Sequence, residues 1–409
     1  MDVTPTTSAA TGAAPRQGTL WGVIFICCAV AILEGFDIQA IGIAAPKLVP
    51  ALGLTPAQAG QAFGLGQFGL VAGTLIGGWL SDRIGRKTVL MASVILFGIF
   101  TLMTLMATSY NMLVAVRVAT GLGLGGAMPN MIRMALDAAG PKNRAFMVTL
   151  VMAGTPLGGA LVSLFARLYM QQLGWHSLFI LGGALPLVLV PLVALLPREP
   201  KAVTPVAASE QINGFKALFG EGRALTSLLL WIANFFTLIV LYLFLNWLPS
   251  LMGGLGLPPT VGQDASLGFN LGSVLGALII GWTTDRLGAR GPISIAYIGL
   301  IAAVAGLAIF REIDQMLVCA ALTGFFLLGA QYSLAGVGPM YYPRSARGLA
   351  TGSALAIGRV GSILGPMMAG EVLSRGYGPS GVLTLLVPVA ILAGLAVFIV
   401  TSRARPLAE

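Results

Sequence analysis

The sequence predicts an all-α polytopic membrane protein in which twelve transmembrane helices form two parallel-related bundles of six. The chain has 409 residues, of which 57% are hydrophobic and only 9% are charged, whereas soluble domains carry about 25% charged residues. Apolar stretches that are long enough to cross a bilayer recur along the whole chain. A motif after the second stretch reappears after the eighth, which indicates an internal duplication.

The twelve apolar spans are separated by short polar connections, and the longest polar break divides them into six and six. We expect the spans at residues 20–45, 58–80, 88–107, 110–134, 145–170, 176–196, 224–251, 262–283, 292–310, 315–339, 348–373 and 379–401. The predicted domains are a disordered tail at 1–19, a first bundle at 20–196, a linker at 197–223, a second bundle at 224–401 and a tail at 402–409.

The distribution of basic residues predicts the orientation of the spans. A net charge of +9 could suggest nucleic acid as a partner, but the Lys and Arg residues lie mainly in short connections between apolar spans. Of these residues, 16 fall on the side of the N-terminus, 4 on the opposite side and 3 within spans. Positive charge concentrates on the cytoplasmic side. We therefore expect both termini in the cytoplasm, a location in the bacterial-type cytoplasmic (inner) membrane, and no nucleic-acid partner.

Few residues suit catalysis or metal binding. The three cysteines, Cys27, Cys28 and Cys319, lie in apolar segments without the spacing of a metal site or a disulfide framework. The single histidine, His176, lies at the predicted outer end of span 6 and leaves little for acid–base work. We expect neither an enzyme nor a metal protein.

Two carboxylates interrupt the apolar span 1. Glu34 and Asp37 are three residues apart, so they share one face of a helix. Charge inside a membrane is expensive and therefore indicates function. The alternative is that one or both acids only bond a neighbouring helix or lie near the aqueous boundary.

Span 4 carries an arginine at a matching depth. Arg117 lies about 10 Å inside the predicted outer end of this span, and the acids of span 1 lie at a comparable depth, so an ion pair is within geometric reach. A pair that forms in only one conformation would couple a proton to that conformation, whereas a static pair would only fix helix packing. Toward the cytoplasmic end, Arg133 and Asp137 are spaced i, i+4 and are expected to pair as a surface or gate contact.

Arg359 lies near the middle of span 11, far from any acid of the same span. A guanidinium there suits a planar anion such as a substrate carboxylate; the alternatives are a partner on another span and a role in cytoplasmic gating. Aromatic and amide side chains would suit a ring-bearing anion, although such residues also serve packing. The further substrate-binding candidates are Tyr242, Asn246 and Trp247 in span 7, Gln331 and Tyr332 in span 10, and Asn130 in span 4.

The connection between spans 2 and 3 contains GWLSDRIGRK, and GWTTDRLGAR follows 203 residues later, after span 8. Glycines permit a tight turn, and the acid and arginines can latch one helix end to its neighbour in one conformation and release it in the other. A connection that only set the orientation would not need the acid. The gating candidates are Gly78, Asp82, Arg83, Gly85, Arg86 and Lys87, the second-copy residues Asp285 and Arg286, and Arg133 with Asp137.

These motifs resemble those of the major facilitator superfamily. Its pattern G-x-L-x-D-R-x-G-R-K is matched from Gly78 to Lys87, and R-x-x-x-G-x-G-x-G is matched from Arg117 to Gly125. The acid-Gly-aromatic-Asp sequence of span 1 and GRxGSILGP of span 11 resemble the aromatic acid:proton symporter family, and EGFDIQAIGIAA resembles its 3-(3-hydroxyphenyl)propionate transporter branch. The resemblance implies the major facilitator fold and span 1 acids in proton coupling, with Asp37 preferred to Glu34.

The same resemblance implies a symporter that imports an aromatic carboxylate, 3-(3-hydroxyphenyl)propionate or a related hydroxylated acid, together with protons by alternating access. We expect it to work as a monomer in the lipid bilayer, with no cofactor besides the coupling proton. The alternative is a proton-driven antiporter that exports drugs or metabolites. Its expected mark in span 5, G-x-x-x-G-P-x-x-G-G, is not matched by MAGTPLGGAL, which favours the symporter.

Overall fold

The structure, a computed structural model, describes residues 17–139, 144–196 and 214–403, without the side chains of 17–20, 144–146 and 215. All regular structure in this part is helical, which confirms the predicted all-α class. The predicted tail up to residue 16 and the linker up to residue 213 lie outside the described residues. Helix already begins at Gln17, and Gly214–Phe219 form a short helix inside the predicted linker. The last helix extends to Arg403, slightly beyond its predicted end.

Twelve long helices occupy the described residues, one for each predicted span. In chain order they are Gln17–Ala51, Pro56–Ile84, Arg86–Met103, Tyr110–Ala138, Arg144–Leu173, His176–Ala194, Ala224–Gly254, Pro259–Leu287, Arg290–Ile309, Ile313–Val337, Arg347–Ser374 and Gly378–Arg403. Eleven of these are long and apolar enough to cross a membrane. The exception, span 11, has 28 residues but contains many glycines and polar residues. Short 3-10 turns follow span 3 at Thr104–Met106 and span 10 at Gly338–Tyr341.

Span 1 is longer than the sequence predicted. The helix continues past residue 45 through Pro46 and Pro50 and ends at Ala51. A proline inside a helix removes one backbone hydrogen bond, but membrane helices tolerate prolines where neighbouring groups compensate for the loss. The prolines therefore do not end this span.

The predicted duplication extends from the motif to whole helices. Span 2 and span 8 each have 29 residues and begin with a proline, at Pro56 and Pro259. Each is followed by a glycine with positive φ, 92° at Gly85 and 80° at Gly288, a conformation that residues with a side chain rarely adopt. The glycines thus permit the same tight turn in both halves.

Glycines also set the helix crossings within each half, that is, within spans 1–6 and within spans 7–12. Gly35 of span 1 lies directly against the backbone of Thr155 in span 5, and Gly276 of span 8 lies against the backbone of Phe325 in span 10. A side chain at either glycine would collide with these backbone atoms. Small residues therefore permit the close approach that is typical of membrane helices.

We call the two ends of the molecule outer and cytoplasmic, following the orientation that the basic residues predict. The outer connections lie between Ala51 and Pro56, Met106 and Tyr110, Leu173 and His176, Gly254 and Pro259, Ile309 and Ile313, and Ser374 and Gly378.

The two halves are in contact at the outer end. Ala57 of span 2 donates its backbone N–H to Ser374 Oγ of span 11 at 2.8 Å. Arg167 of span 5 forms an ion pair with Asp264 of span 8, with Nε 2.9 Å from Oδ1. Gly42 of span 1 packs directly on the backbone of span 7. Together these contacts close the outer end.

The cytoplasmic end differs from the outer end in the described part of the chain. Among the described residues, no hydrogen bond or ion pair joins the halves at this end. The contacts between the halves are therefore concentrated in the outer and middle parts of the molecule.

Candidate functional site

Asp37 lies in a buried network within the first half. Its Oδ2 is 3.3 Å from Arg117 Nη2 in span 4, and Thr101 of span 3 donates its hydroxyl to Oδ1 at 2.6 Å. The Asp37 side chain is fully buried, and only 6% of the Arg117 side chain is exposed. The arginine and the hydroxyl thus supply each carboxylate oxygen with a partner. Removing one partner of a buried ion pair leaves an uncompensated charge, so this network stabilises the first half as it stands.

Glu34, one helical turn before Asp37, has a different environment. Its side chain is fully buried, yet neither carboxylate oxygen has a hydrogen-bond partner among the described residues. Arg359 of span 11 and Tyr332 of span 10 are close enough to interact with it electrostatically. The two acids of span 1 therefore have different neighbours: Asp37 is bonded to spans 3 and 4, while Glu34 lies near the second half.

Arg359 lies at the interface between the halves. Its Nη1 donates to the Tyr242 hydroxyl of span 7 at 2.9 Å, and its Nη2 is 3.6 Å from Met128 Sδ of span 4 in the other half. The residue is partly exposed, and in the described part of the chain no ion pair joins it to a carboxylate. A guanidinium has five N–H donors, so Arg359 retains donors for a bidentate anion.

Gln331 and Tyr332 follow each other in span 10 but contact different helices. The Tyr332 hydroxyl donates to the Met152 carbonyl of span 5 at 3.4 Å, across the interface. Gln331 Nε2 donates to Asn234 Oδ1 of span 7 at 3.2 Å, while its Oε1 has no partner within the described structure. Amide and phenol groups of the second half thus lie in the same region as Arg359.

The remaining substrate-binding candidates occupy tightly packed positions. Asn246 donates to the carbonyl four residues earlier in its own helix at 2.7 Å, and Trp247 donates its indole N–H to the Pro366 carbonyl of span 11 at 3.0 Å. Asn130 donates to the Gly126 carbonyl at 2.8 Å, and its Oδ1 is buried without a partner in the described part of the chain. Trp247 therefore joins spans 7 and 11 toward the outer side, whereas the Asn246 side chain bonds only within span 7.

The motif between spans 2 and 3 bonds to span 4 within the first half. Arg133 Nη1 is 3.3 Å from Asp82 Oδ1, and Arg86 forms an ion pair with Asp137. The predicted i, i+4 pair between Arg133 and Asp137 is therefore wrong, because the motif supplies each of them with a partner of opposite charge. The four side chains instead connect the cytoplasmic ends of spans 2, 3 and 4.

The second copy of the motif repeats one contact of the first. An arginine guanidinium lies over the tryptophan ring four residues earlier in both copies, Arg83 over Trp79 at 3.8 Å and Arg286 over Trp282 at 4.3 Å. Lys87 donates to a backbone carbonyl at the end of span 6 at 2.7 Å. The acid of the second copy, Asp285, forms no hydrogen bond or ion pair with other described residues.

Four polar residues of this region were not predicted from the sequence: Thr101, Gln39, Asn270 and Asn234. Each is a single uncharged residue in an apolar span, and such residues are common where membrane helices pack, so composition does not distinguish them. Of the four, only Gln39 has a position in the sequence that points to the site, because it lies two residues after Asp37. Gln39 and Asn270 join the two halves, and Asn234 bonds to Gln331.

Comparison with known proteins places this arrangement in a family. The family model described as Major Facilitator Superfamily matches residues 27–340 and 268–409. The 3-(3-hydroxy-phenyl)propionate transporter of Escherichia coli is 38% identical over 382 residues, which are 93% of this chain and 94% of that protein. The 4-hydroxybenzoate transporter PcaK of Pseudomonas aeruginosa is 33% identical, with 95% of this chain and 94% of that protein covered.

A solved structure agrees on the fold. The crystal structure of the nucleoside transporter NupG superimposes with a TM-score of 0.77 at 16% identity and covers 93% of this chain and 99% of that one. The twelve-helix arrangement, the matched family model and the two relatives lead to one conclusion: the chain is a multi-pass membrane protein that belongs to the Major Facilitator Superfamily.

Proposed function

We propose that the protein imports a hydroxylated aromatic carboxylate, such as 3-(3-hydroxyphenyl)propionate, together with protons. The observation that carries the proposal is the state of Arg359. This guanidinium lies partly exposed between the halves, and no described acid pairs with it. Unpaired charge in a membrane is expensive, and a substrate carboxylate would provide the missing anion. The relatives named above, transporters of 3-(3-hydroxy-phenyl)propionate and of 4-hydroxybenzoate, support the aromatic class.

Glu34 is the proton carrier in this proposal, and Asp37 is the structural partner of Arg117. This reverses the preference drawn from the sequence. Ionised Glu34 would be buried without a donor, which is costly, whereas Asp37 has both Arg117 and Thr101 as partners. Gain or loss of a proton at Glu34 should therefore change the energy of the protein more than gain or loss of a proton at Asp37.

Coupling follows from the position of Glu34 near Arg359. An ionised Glu34 would repel a substrate carboxylate bound to the same guanidinium, because two anions would then share one cation. Binding of a proton to Glu34 and of the anion to Arg359 therefore favour each other. This linkage is reciprocal, so the substrate also promotes proton binding, as a symporter requires.

The linker at 197–223 separates the two halves. Transport then proceeds by rocking of one half against the other about the region of Arg359 and Glu34. The proposal places both termini in the cytoplasm of an inner membrane, and the closed outer end would then make this the inward-facing arrangement. Proton and anion enter when the outer end is open, and both leave toward the less acidic cytoplasm. A site between the halves near the middle of the bilayer is typical of such transporters. One chain contains all of these groups, which supports a functional monomer.

The experiment that tests the proposal is uptake by proteoliposomes that contain the purified protein. With an inward proton gradient, labelled 3-(3-hydroxyphenyl)propionate should accumulate, and other hydroxylated aromatic acids should compete. Arg359→Ala should abolish saturable uptake, and Arg359→Lys should retain little of it, because lysine cannot bind a carboxylate in the bidentate way. Arg311→Ala, in an outer connection, is the matched control. Gradient-independent uptake, or full uptake by Arg359→Ala, would overturn the proposal.

A further inference from the structure

A cleft lies toward the cytoplasmic end of the second half. It is formed between spans 7, 10 and 11. Its walls are largely apolar, and Asn234 is one of the few polar groups that line it. The lining includes Leu230, Asn234, Leu334, Ala335, Thr351 and Leu355.

Helical spacing places site residues at the head of this cleft. In span 11, the lining residue Leu355 is four residues before Arg359, and in span 10 the lining residue Ala335 is four residues after Gln331. Residues four apart lie on the same helix face, one turn from each other. Arg359 and Gln331 therefore lie one turn beyond the cleft wall, and Asn234 is itself part of that wall.

The amide groups of Asn234 and Gln331 have a defined orientation. Asn234 Nδ2 donates to the Leu230 carbonyl at 2.9 Å, which directs Asn234 Oδ1 toward Gln331 Nε2 at 3.2 Å. Gln331 Oε1 is consequently an acceptor without a donor in the described structure, although only 6% of the residue is exposed. A buried acceptor without a partner is costly, so this oxygen suits a ligand that brings an O–H or N–H donor.

The amide pair lies beside the helix turn that carries Arg359. Gly358, the residue before Arg359 in span 11, packs on Asn234 of span 7, while the Arg359 guanidinium donates to the Tyr242 hydroxyl two turns farther along span 7. One small ligand with its carboxylate on the guanidinium could therefore bring a ring hydroxyl to the amide pair. The apolar head of the cleft would contact the ring between them.

We propose that Gln331, oriented by Asn234, accepts a hydrogen bond from the ring hydroxyl of the transported acid while the ring lies at the head of the cleft between spans 7, 10 and 11. The inference rests on the proposed function, since it assumes an aromatic carboxylate on Arg359. It assigns the choice of hydroxylated over unsubstituted acids to Gln331 and Asn234, which do not contact the carboxylate.

The test compares two acids in one protein, so the result does not depend on expression level. Proteoliposome uptake of labelled 3-(3-hydroxyphenyl)propionate is competed with the unlabelled acid and with 3-phenylpropionate, which lacks only the hydroxyl. The wild type should prefer the hydroxylated acid, and Gln331→Leu should reduce this preference about tenfold, the effect of one lost hydrogen bond to a buried group. Asn234→Leu should reduce it as well, because Gln331 loses its orientation.

Thr323→Val is the matched control, because Thr323 is buried in span 10 and bonds only within its own helix, to the Cys319 carbonyl at 2.7 Å; the preference should be unchanged. An unchanged preference in Gln331→Leu and Asn234→Leu, with uptake still abolished by Arg359→Ala, would overturn this inference and leave the proposed function intact. Absence of gradient-driven uptake of either acid by the wild type would instead overturn the proposed function itself.

Discussion

Gln39 of span 1 and Asn270 of span 8 exchange two hydrogen bonds across the interface between the halves. Gln39 Nε2 donates to Asn270 Oδ1 at 2.8 Å, and Asn270 Nδ2 donates to Gln39 Oε1 at 2.7 Å. Both residues are buried, and Gly159 of span 5 lies directly against the pair. The contact between the halves is thus only two residues from Asp37, so the outer closure and the buried acid network share one segment of helix.

Gln39→Leu is expected to weaken the outer closure. Asn270 Nδ2 would keep its bond to the Ser266 carbonyl, but the buried Asn270 Oδ1 would lose its donor, at a cost of about 1–3 kcal/mol to the closed arrangement. The population should shift toward the outward-open arrangement. Electron–electron distance measurements between spin labels at Gln172 and Asp314, near the outer ends of the two halves, should then show a longer component.

The matched control exchanges the two side chains, Gln39→Asn with Asn270→Gln, which retains both donors and both acceptors. It should keep more of the closed component than Gln39→Leu does. If Gln39→Leu leaves the distance distribution unchanged, the amide pair does not maintain the closure.

Glu34→Gln is expected to abolish gradient-driven accumulation while preserving substrate exchange. Glutamine has the shape of a protonated glutamate but cannot release the proton. In the wild type, affinity for the acid should fall as the pH rises, because Glu34 loses its proton; in the variant, affinity should not follow pH. Counterflow in proteoliposomes over a pH series measures both. Accumulation driven by a proton gradient in Glu34→Gln would assign the proton to another group.

Asp37→Asn is expected to lower stability rather than only transport. The change leaves Arg117 buried without a counter-charge, a loss that typically costs about 3–5 kcal/mol. The thermal midpoint of the purified protein should fall, whereas Glu34→Gln should leave it nearly unchanged. Combining Asp37→Asn with Arg117→Met removes both charges and should recover part of the loss. Equal midpoints for Asp37→Asn and Glu34→Gln would contradict the division of roles between the two acids.

Asp82→Asn is expected to slow transport with little effect on stability. Its ion pair with Arg133 is largely exposed, and exposed pairs contribute about 0–1 kcal/mol. The maximal uptake rate should fall while KM stays close to that of the wild type, because the pair is remote from Arg359. The charge exchange Asp82→Arg with Arg133→Asp should restore part of the rate. A normal rate in Asp82→Asn would exclude a gating role for this pair.

Sequence reasoning predicted the features that depend on composition and depth. Apolar length placed all twelve spans, and counting residues from the outer end placed Arg117 at the depth of the span 1 acids. In the structure Arg117 lies beside Asp37, because both residues lie a similar number of helical turns from the outer end. The motif repeat likewise predicted the matched turns at Gly85 and Gly288, because the same short connection requires the same backbone conformation.

The remaining features depend on which helix faces which, and periodicity carries no such information. Glu34 and Asp37 share a helix face, but their side chains point in slightly different directions around the axis of span 1. Glu34 is therefore near Arg359, and Asp37 is near Arg117. Arg133 and Asp137 have ideal spacing for a pair, but partners from the preceding motif prevent it. Gln39 and Asn270 are 231 residues apart, and only the packing of one half on the other reveals that they meet.

The short outer connections have a mechanical consequence. Between two and four residues link neighbouring helices at that end, so these loops have little conformational entropy to lose and little slack to absorb displacement. A tilt of one helix must therefore be transmitted to the next almost without loss, and each set of six helices responds as a stiff body. The free-energy difference between the two orientations then resides in the contacts between these bodies rather than in bending within them.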